Sequence, residues 1–311
     1  MLSRVAERLY WLGRYLSRCE NTARLVHIHT NLLLDMPKRV EVGWANLARI
    51  LGCAQTFRQR CPVTDEYSVM RFLLTDADNH GSLLTSLSAA RENLRTTREI
   101  MPSEAWEQIN EVYLLARSSL DADLSRRTRT ATLQALVRAI ERIWGIAEMN
   151  LRHDAAYHFL AMGRALEQAD MTSRILDGAA LTLMDNNQQH LQEFRSLLWM
   201  GVLRTLSSYQ SYRQQIGNAV SGVDVLLFML HDPHFPRSVA ASLAQLAHMA
   251  AKLPDGDGLQ QAVAQLEQHL NQWDTENLAH HDIHHAMDEL QIHLAALHGQ
   301  VASSWFNPAL A

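Results

Sequence analysis

Arg14 and Arg18 stand one helical turn apart near the start of the chain, with Glu7 and Asn21 in the same register. Projected at about 100° per residue, these four residues share one narrow strip, flanked by Ser3 and Tyr10. Leu2, Val5, Leu9, Leu12, Leu16, Cys19, Ala23 and Val26 form a broad apolar face on the other side. Two guanidinium groups at this spacing suit one carboxylate or phosphate, because each presents a planar fork of N–H donors. A nearby carboxylate such as Glu7 would orient them or serve as a general base. The competing reading is a solvated face with intrahelical pairs such as Glu20 and Arg24.

The strip recurs 150 positions later. Gly13, Arg14, Leu16, Glu20, Thr22, Arg24 and Leu25 are matched by Gly163, Arg164, Leu166, Asp170, Thr172, Arg174 and Ile175. Trp44 and Phe57-Arg58-Gln59 match Trp199 and Tyr212-Arg213-Gln214 at a spacing of 155. Phe72, Asp76 and Ser82 match Phe228, Asp232 and Ser238 at 156. This order implies a tandem duplication, and hence an all-α bundle of two helical units packed pseudo-symmetrically, with a seam suited to a site. Pseudo-repeats are expected over about 1–125 and 150–253, with a C-terminal helical segment over about 258–302, in one domain spanning 1–311. The copies differ at the strip: Gln168 and Met171 replace Arg18 and Asn21, and Glu167 stands where the first copy has Ser17. This divergence suits one asymmetric site better than two identical ones, with Arg18 and Glu167 completing a pair across the seam, although drift would produce the same pattern.

The elements that must position these residues read as helices over 2–35, 40–60, 65–74, 82–100, 103–120, 129–151, 154–182, 187–217, 221–230, 238–252, 258–271 and 275–302. All seven prolines fall between or at the ends of these spans, and β-branched runs are absent. Ser82, Ser103 and Ser238 sit at expected N-caps, and residues 125–129 read as an exposed basic connection between the halves. The seven tryptophans are spread along the chain and read as core.

The net charge of −5 gives no general attraction to nucleic acid. No apolar run is long enough for a membrane span, and the charged opening is not a signal peptide, so a cytoplasmic protein is expected. Cys19, Cys53 and Cys61 lack metal-site spacing and read as reduced thiols. Among 28 basic residues only Lys38 and Lys252 are lysines, a bias that fits either ordinary ion pairs or bidentate anion recognition. Arg91, Arg95 and Arg98 share a helix face and form a second candidate anion contact. His281 and His285, like His280 and His284, have helical i,i+4 spacing, but the His-Glu-x-x-His pattern is absent, and no metal is expected. No Gly-rich phosphate loop or local nucleophile arrangement appears, and no cofactor is expected.

The run Leu2-Ser3-Arg4-Val5-Ala6-Glu7-Arg8-Leu9-Tyr10-Trp11-Leu12-Gly13-Arg14-Tyr15-Leu16, followed by Arg18 and Glu20-Asn21-Thr22-Ala23-Arg24-Leu25, resembles the opening of bacterial alpha-E domain proteins. Ala90-Arg91-Glu92-Asn93 with Arg95 and Arg98, Glu104 to Asn110 around Trp106, Phe159-Leu160 with Gly163-Arg164, and Pro236-Arg237-Ser238-Val239 extend the resemblance over most of residues 1–250. The family pattern places Gly-Arg-x-Leu-Glu-Arg in each half. This chain departs from it twice, reading Leu16-Ser17-Arg18 and Leu166-Glu167-Gln168. The resemblance implies an all-helical accessory protein associated with circularly permuted ATP-grasp ligases or transglutaminase-like proteins.

The expected function is an accessory or substrate-presenting subunit in ATP-dependent peptide or amide-bond formation, binding the ligase or a peptide or other carboxylate ligand. Arg14, Arg18, Asn21, Arg164 and Asp170 are its expected binding residues. An enzyme using Glu7 or Glu167 as base is the alternative, and a homodimeric scaffold with an exposed strip is the third reading.

Overall fold

The computed structural model describes residues 1–36, 43–184, 194–275, 278 and 283–306, and among these the regular elements are helices and no strand occurs. Two long helices, α1 (Ser3–Asp35) and α8 (Ala155–Met184), pack against each other at the centre. They run in the same direction. Gly13 meets Leu160 and Arg164, Arg18 meets Glu167, and Leu25 and Ile28 share a cleft with Ile175 and Ala179. Glycine sets the approach at the crossing. A Cβ on Gly13 would lie 2.2 Å from the Leu160 carbonyl oxygen, and one on Gly163 would lie 2.0 Å from that of Tyr10. Mid-helix glycine costs about 1 kcal/mol against alanine, so its use here reflects backbone contact.

The remaining helices surround this pair. α1 packs on α5 (Leu83–Thr96), α7 (Arg126–Asn150) and α9 (Arg195–Thr205), while α8 packs on α12 (Val239–Ala250) and α14 (Ile283–Val301). α6 (Ser103–Ala122) lies on α5 and α7, and α13 (Asp257–Leu270) on α12 and α14. A π-helical turn, Ala302–Phe306, follows α14 and places the Phe306 ring beside Tyr10 and Phe159. α4 (Glu66–Leu74) and α11 (Gly222–His231) are shorter and also contribute to the core. The side chains of Asp65, Ser82, Ser125, Ser221 and Ser238 each accept the backbone N–H three residues on, which fixes the starts of α4, α5, α7, α11 and α12.

Several expected boundaries change. The span 40–60 divides into α2 (Ala45–Ile50) and α3 (Ala54–Arg60) at Gly52, whose φ of 69° ends a helix. The described part of 187–217 divides into α9 and α10 (Tyr209–Gln215) at Ser207, with φ of 55°. The backbone N–H and thiol of Cys53 donate to the Ala48 carbonyl, and the N–H and hydroxyl of Ser208 donate to that of Leu203. Ser103 is not a side-chain cap, because Pro102 holds that position and the Ser103 hydroxyl donates to Glu104. Residues 126–129 are the first turn of α7 rather than a connection, and Arg129 is buried, because Ser125 caps a helix there. No helix among the described residues is long and apolar enough to cross a membrane.

Candidate functional site

The α1–α8 seam is polar at its middle. Arg14, Ser17, Glu20, Asn21 and Thr22 from α1 and Glu167, Gln168, Thr172 and Ser173 from α8 are buried there. Buried charge requires partners, and the first set is compact. Arg14 Nε donates to Glu167 Oε2 at 2.7 Å; Arg18 donates through Nε to Oε1 at 2.6 Å and through its terminal nitrogen to Oε2 at 3.0 Å. One carboxylate thus carries two guanidinium groups, a fork-to-fork geometry on the Arg18 side. The guanidinium carbons of Arg14 and Arg18 stack 5.3 Å from the Trp11 ring and 5.8 Å from the Tyr15 ring.

A second set lies further along α1. Arg237, in the turn before α12, donates to Asn21 Oδ1 at 3.0 Å and to Glu20 Oε1. Arg24 also donates to Glu20 Oε1, at 3.0 Å, and reaches Glu141 on α7. On α8, Arg174 donates to Asp170 Oδ2 at 2.9 Å, an i,i+4 pair. Arg237 is held in place by its own backbone, since the Thr172 hydroxyl donates to its carbonyl at 2.9 Å.

Arg164 is the exception. Its guanidinium carbon lies 4.5 Å from the Trp144 ring centroid, and no described carboxylate is in hydrogen-bond or ion-pair contact with it. Its surroundings are half-closed: Trp144 is buried, while Arg164 keeps partial exposure. Every other arginine of the seam (Arg14, Arg18, Arg24, Arg174, Arg237) has a carboxylate within reach.

The electrostatics follow this division. Burial opposes ionisation of Glu167, but Arg14 and Arg18 outweigh it and hold the carboxyl well below the usual range. Burial likewise opposes charge on Arg14 and Arg18, and Glu167 overcomes it, so both are raised. At Glu20, burial is outweighed by Arg237 and Arg24, and the carboxyl is lowered. Arg164, in contrast to Arg14 and Arg18, is lowered: burial dominates, Glu20 attracts, and Arg237 repels. Burial pushes the Cys19 thiol up and the Cys53 thiol to about 11, so neither is poised as a nucleophile.

The other expected residues disperse. Glu7 joins no hydrogen bond or ion pair among the described residues and is not part of the cluster, although it shares the strip's register on α1. Arg91 donates to Asn110 at 2.8 Å and stacks on Trp106 and Tyr113, Arg95 pairs with Glu92, and Arg98 pairs with Glu99. These arginines therefore form no common anion contact. His281 lies outside the described residues, and His285 is exposed. All seven tryptophans belong to the core or pack against it, Trp144 and Trp199 being buried, and Trp11, Trp44, Trp106 and Trp144 also serve as platforms for arginine. Arg237, Trp144, Glu20, Arg24 and Arg174 are seam residues the sequence did not single out as binding residues. Their signal was weak: Arg237 precedes the Ser238 cap, 216 positions from its Asn21 partner. A cavity of about 790 Å³ lies elsewhere, between the α3–α4 region and the end of α6, where Arg60 already pairs with Asp76 and Asp78.

A family model described as a predicted alpha-helical domain with a conserved Glu-Arg motif, Alpha-E, matches residues 1–306. The chain belongs to the Alpha-E family. It is similar to an uncharacterised protein of Mycobacterium bovis and to uncharacterised proteins from two strains of Mycobacterium tuberculosis. Each is 23% identical over 274 residues, covering 82% of this chain and 30% of the relative. The chain thus spans under a third of the length of these relatives. No solved structure matches it. In this Alpha-E protein Ser17-Arg18 and Glu167-Gln168, which stand 150 positions apart, supply one Arg and one Glu that contact each other across α1 and α8.

Proposed function

We propose that this Alpha-E protein is an accessory or substrate-presenting subunit in ATP-dependent peptide or amide-bond formation. In this reading it takes a carboxylate of a peptide ligand or of an ATP-grasp-type partner ligase against Arg164. The supporting observation is that Arg164 is the seam arginine left without a carboxylate among the described residues. A half-buried cation without a counterion is costly, and an incoming carboxylate removes that cost. Arg14 and Arg18 are poorer ligand contacts than their spacing suggests, because Glu167 already occupies them. The short coverage of the mycobacterial relatives fits a domain that works beside further protein.

The same reading treats the halves as a tandem duplication packed about a pseudo-twofold axis. The reciprocal contacts of Gly13 and Gly163, the i,i+4 pairs Glu20–Arg24 and Asp170–Arg174, and the caps Ser82 and Ser238 support it. Arg14 and Arg164 are then equivalent, and only one has a carboxylate because Glu167 has Ser17 as its counterpart. An enzyme with Glu167 as general base is disfavoured, because a carboxyl held well below its usual range accepts protons poorly near neutral pH.

The test is affinity capture from the native host with wild type and Arg164→Gln, alongside titration with one peptide bearing a free C-terminal carboxylate and its amidated form. The proposal expects a ligase recovered with wild type and lost with Arg164→Gln, and binding of the free-acid peptide only. Equal recovery by both proteins, or equal binding of both peptides, would remove Arg164 as the contact.

A further inference from the structure

α13 and α14 pack through an apolar layer that includes Leu266 and Leu270 on one side and Leu290 and Leu294 on the other. His269 precedes Leu270, and Glu289 and His293 flank Leu290 and Leu294, so all three lie at the rim of that layer. Glu289 and His293 are one helical turn apart and share a face of α14. One donor atom from each of His269, Glu289 and His293 lies within 4.8 Å of the other two. The cluster is half-buried, and Trp273 stands edge-on to His269 at 5.8 Å.

The detail of the contact is informative. His269 Nε2 is 3.0 Å from Glu289 Oε1, yet it is buried and makes no hydrogen bond. The two atoms are close without being aligned as donor and acceptor, which is how two ligands of one ion sit. The His269 and His293 rings have centroids 5.3 Å apart at 54°, so the imidazoles are not stacked face to face. Donors held at about 2.0–2.2 Å from a tetrahedral ion stand roughly 3.3 Å from one another, so only a modest contraction is needed.

We propose that His269, Glu289 and His293 form a binding site for a divalent transition-metal ion, with zinc the best match. Two imidazoles and one carboxylate suit zinc and its neighbours, whereas magnesium and calcium prefer oxygen donors alone. Three protein ligands leave a coordination position for water or an outside donor. The ion would also tie α13 to α14, whose other end carries His298 against Tyr10 of α1. The nearby group of Asp177, His284 and Asp288 is a weaker match. There His284 Nδ1 already contacts Asp177 at 2.8 Å, and His284 and Asp288 are exposed. It supplies the control.

Chelator-stripped protein is titrated with Co2+, whose visible d–d absorption reports coordination, and then with Zn2+ as competitor. Wild type should take up one Co2+ per chain with a distinct d–d spectrum that Zn2+ displaces. The spectrum should be lost in the His269→Ala, His293→Ala double variant and retained in Asp177→Asn. Glu289→Gln should weaken Co2+ by more than the roughly tenfold to hundredfold that loss of an outer-shell partner costs. No spectrum in wild type, or a spectrum that survives the double variant or fails in Asp177→Asn, overturns the site. Should the double variant fail to fold, Glu289→Gln decides alone, since it preserves shape at a half-exposed position, and undiminished Co2+ affinity there overturns the site.

Discussion

Arg14 and Arg164 follow matching glycines on the two central helices, and their fates differ. Arg14 is bonded to a buried carboxylate and raised above its usual pKa; Arg164 lies on an indole, has no carboxylate partner among the described residues, and is lowered. In the sequence register α8 has Glu167 where α1 has Ser17, whose buried hydroxyl has no hydrogen-bond partner among the described residues. Two stretches that share Gly-Arg-x-Leu therefore hold a closed structural clamp on one side and, on the other, a cation without a carboxylate among the described residues. A search for arginines alone would rank the clamp first, because it has two. Counting carboxylates reverses the ranking.

Breaking the clamp should have the largest effect. Glu167→Gln leaves Arg14 and Arg18 with no carboxylate in a buried setting and should destabilise the fold by about 3–5 kcal/mol. Arg164→Met should be neutral or mildly stabilising, since it removes a cation that has no counterion. Urea unfolding of both variants checks the contrast. Equal losses would mean that Arg164 is as well satisfied as Arg14.

Acid should act mainly through α1. His29 is buried, and burial lowers its pKa to about 4, whereas the matching position on α8 is Ala179. The folded state favours neutral imidazole, so its contribution is complete above the unfolded value near 6.5 and is lost as pH falls towards about 4. That loss amounts to up to about 3 kcal/mol. Burial also lowers His27, His158, His231 and His298, which steepens the same limb. Glu167 and Glu20, both lowered, add their loss further down the acid range. Thermal unfolding of wild type and His29→Gln between pH 7 and 4.5 should converge as pH falls, and parallel curves would exclude His29 as the source.

The glycine crossing tests whether the two sides are mechanically alike. Gly13→Ala and Gly163→Ala each push a methyl onto a carbonyl oxygen of the facing helix, at 2.2 and 2.0 Å. Each should cost about 1–3 kcal/mol or more, as overpacking does, and the two losses should agree. A large inequality in their urea midpoints would show that one helix yields and the other does not.

The helical content was legible because the apolar spacing and the serine caps are local signals, as at Ser82 and Ser238. The Arg18–Glu167 contact was legible because the repeat register placed the two residues at one seam. Arg237 was not, since its contacts with Glu20 and Asn21 come from a turn brought in by α12. Nor was the state of Arg164, which depends on what is missing around it in space. The tryptophans were legible as core, but sequence spacing does not reveal that rings such as those of Trp44 and Trp106 also face a guanidinium. His269 escaped notice because its partners, Glu289 and His293, lie on another helix, while the denser histidine group at 280–285 drew the eye.

The smallest effect should come from the two helix breaks. Gly52 and Ser207 both adopt left-handed φ, 69° and 55°, and each is followed by a residue whose N–H and side chain donate to the carbonyl five residues back. Glycine takes this conformation without strain, whereas serine does not. Ser207→Gly relieves that strain but adds freedom to the unfolded chain, so the net gain should be below about 1 kcal/mol. Gly52→Ala should move the other way by about 1 kcal/mol or more, because it acquires the strain and brings a methyl to 2.6 Å from the Arg174 guanidinium. Opposite shifts in melting temperature would show that the two breaks do the same backbone work with different residues. A loss in Ser207→Gly would mean instead that the Ser207 side chain contributes more than its backbone costs.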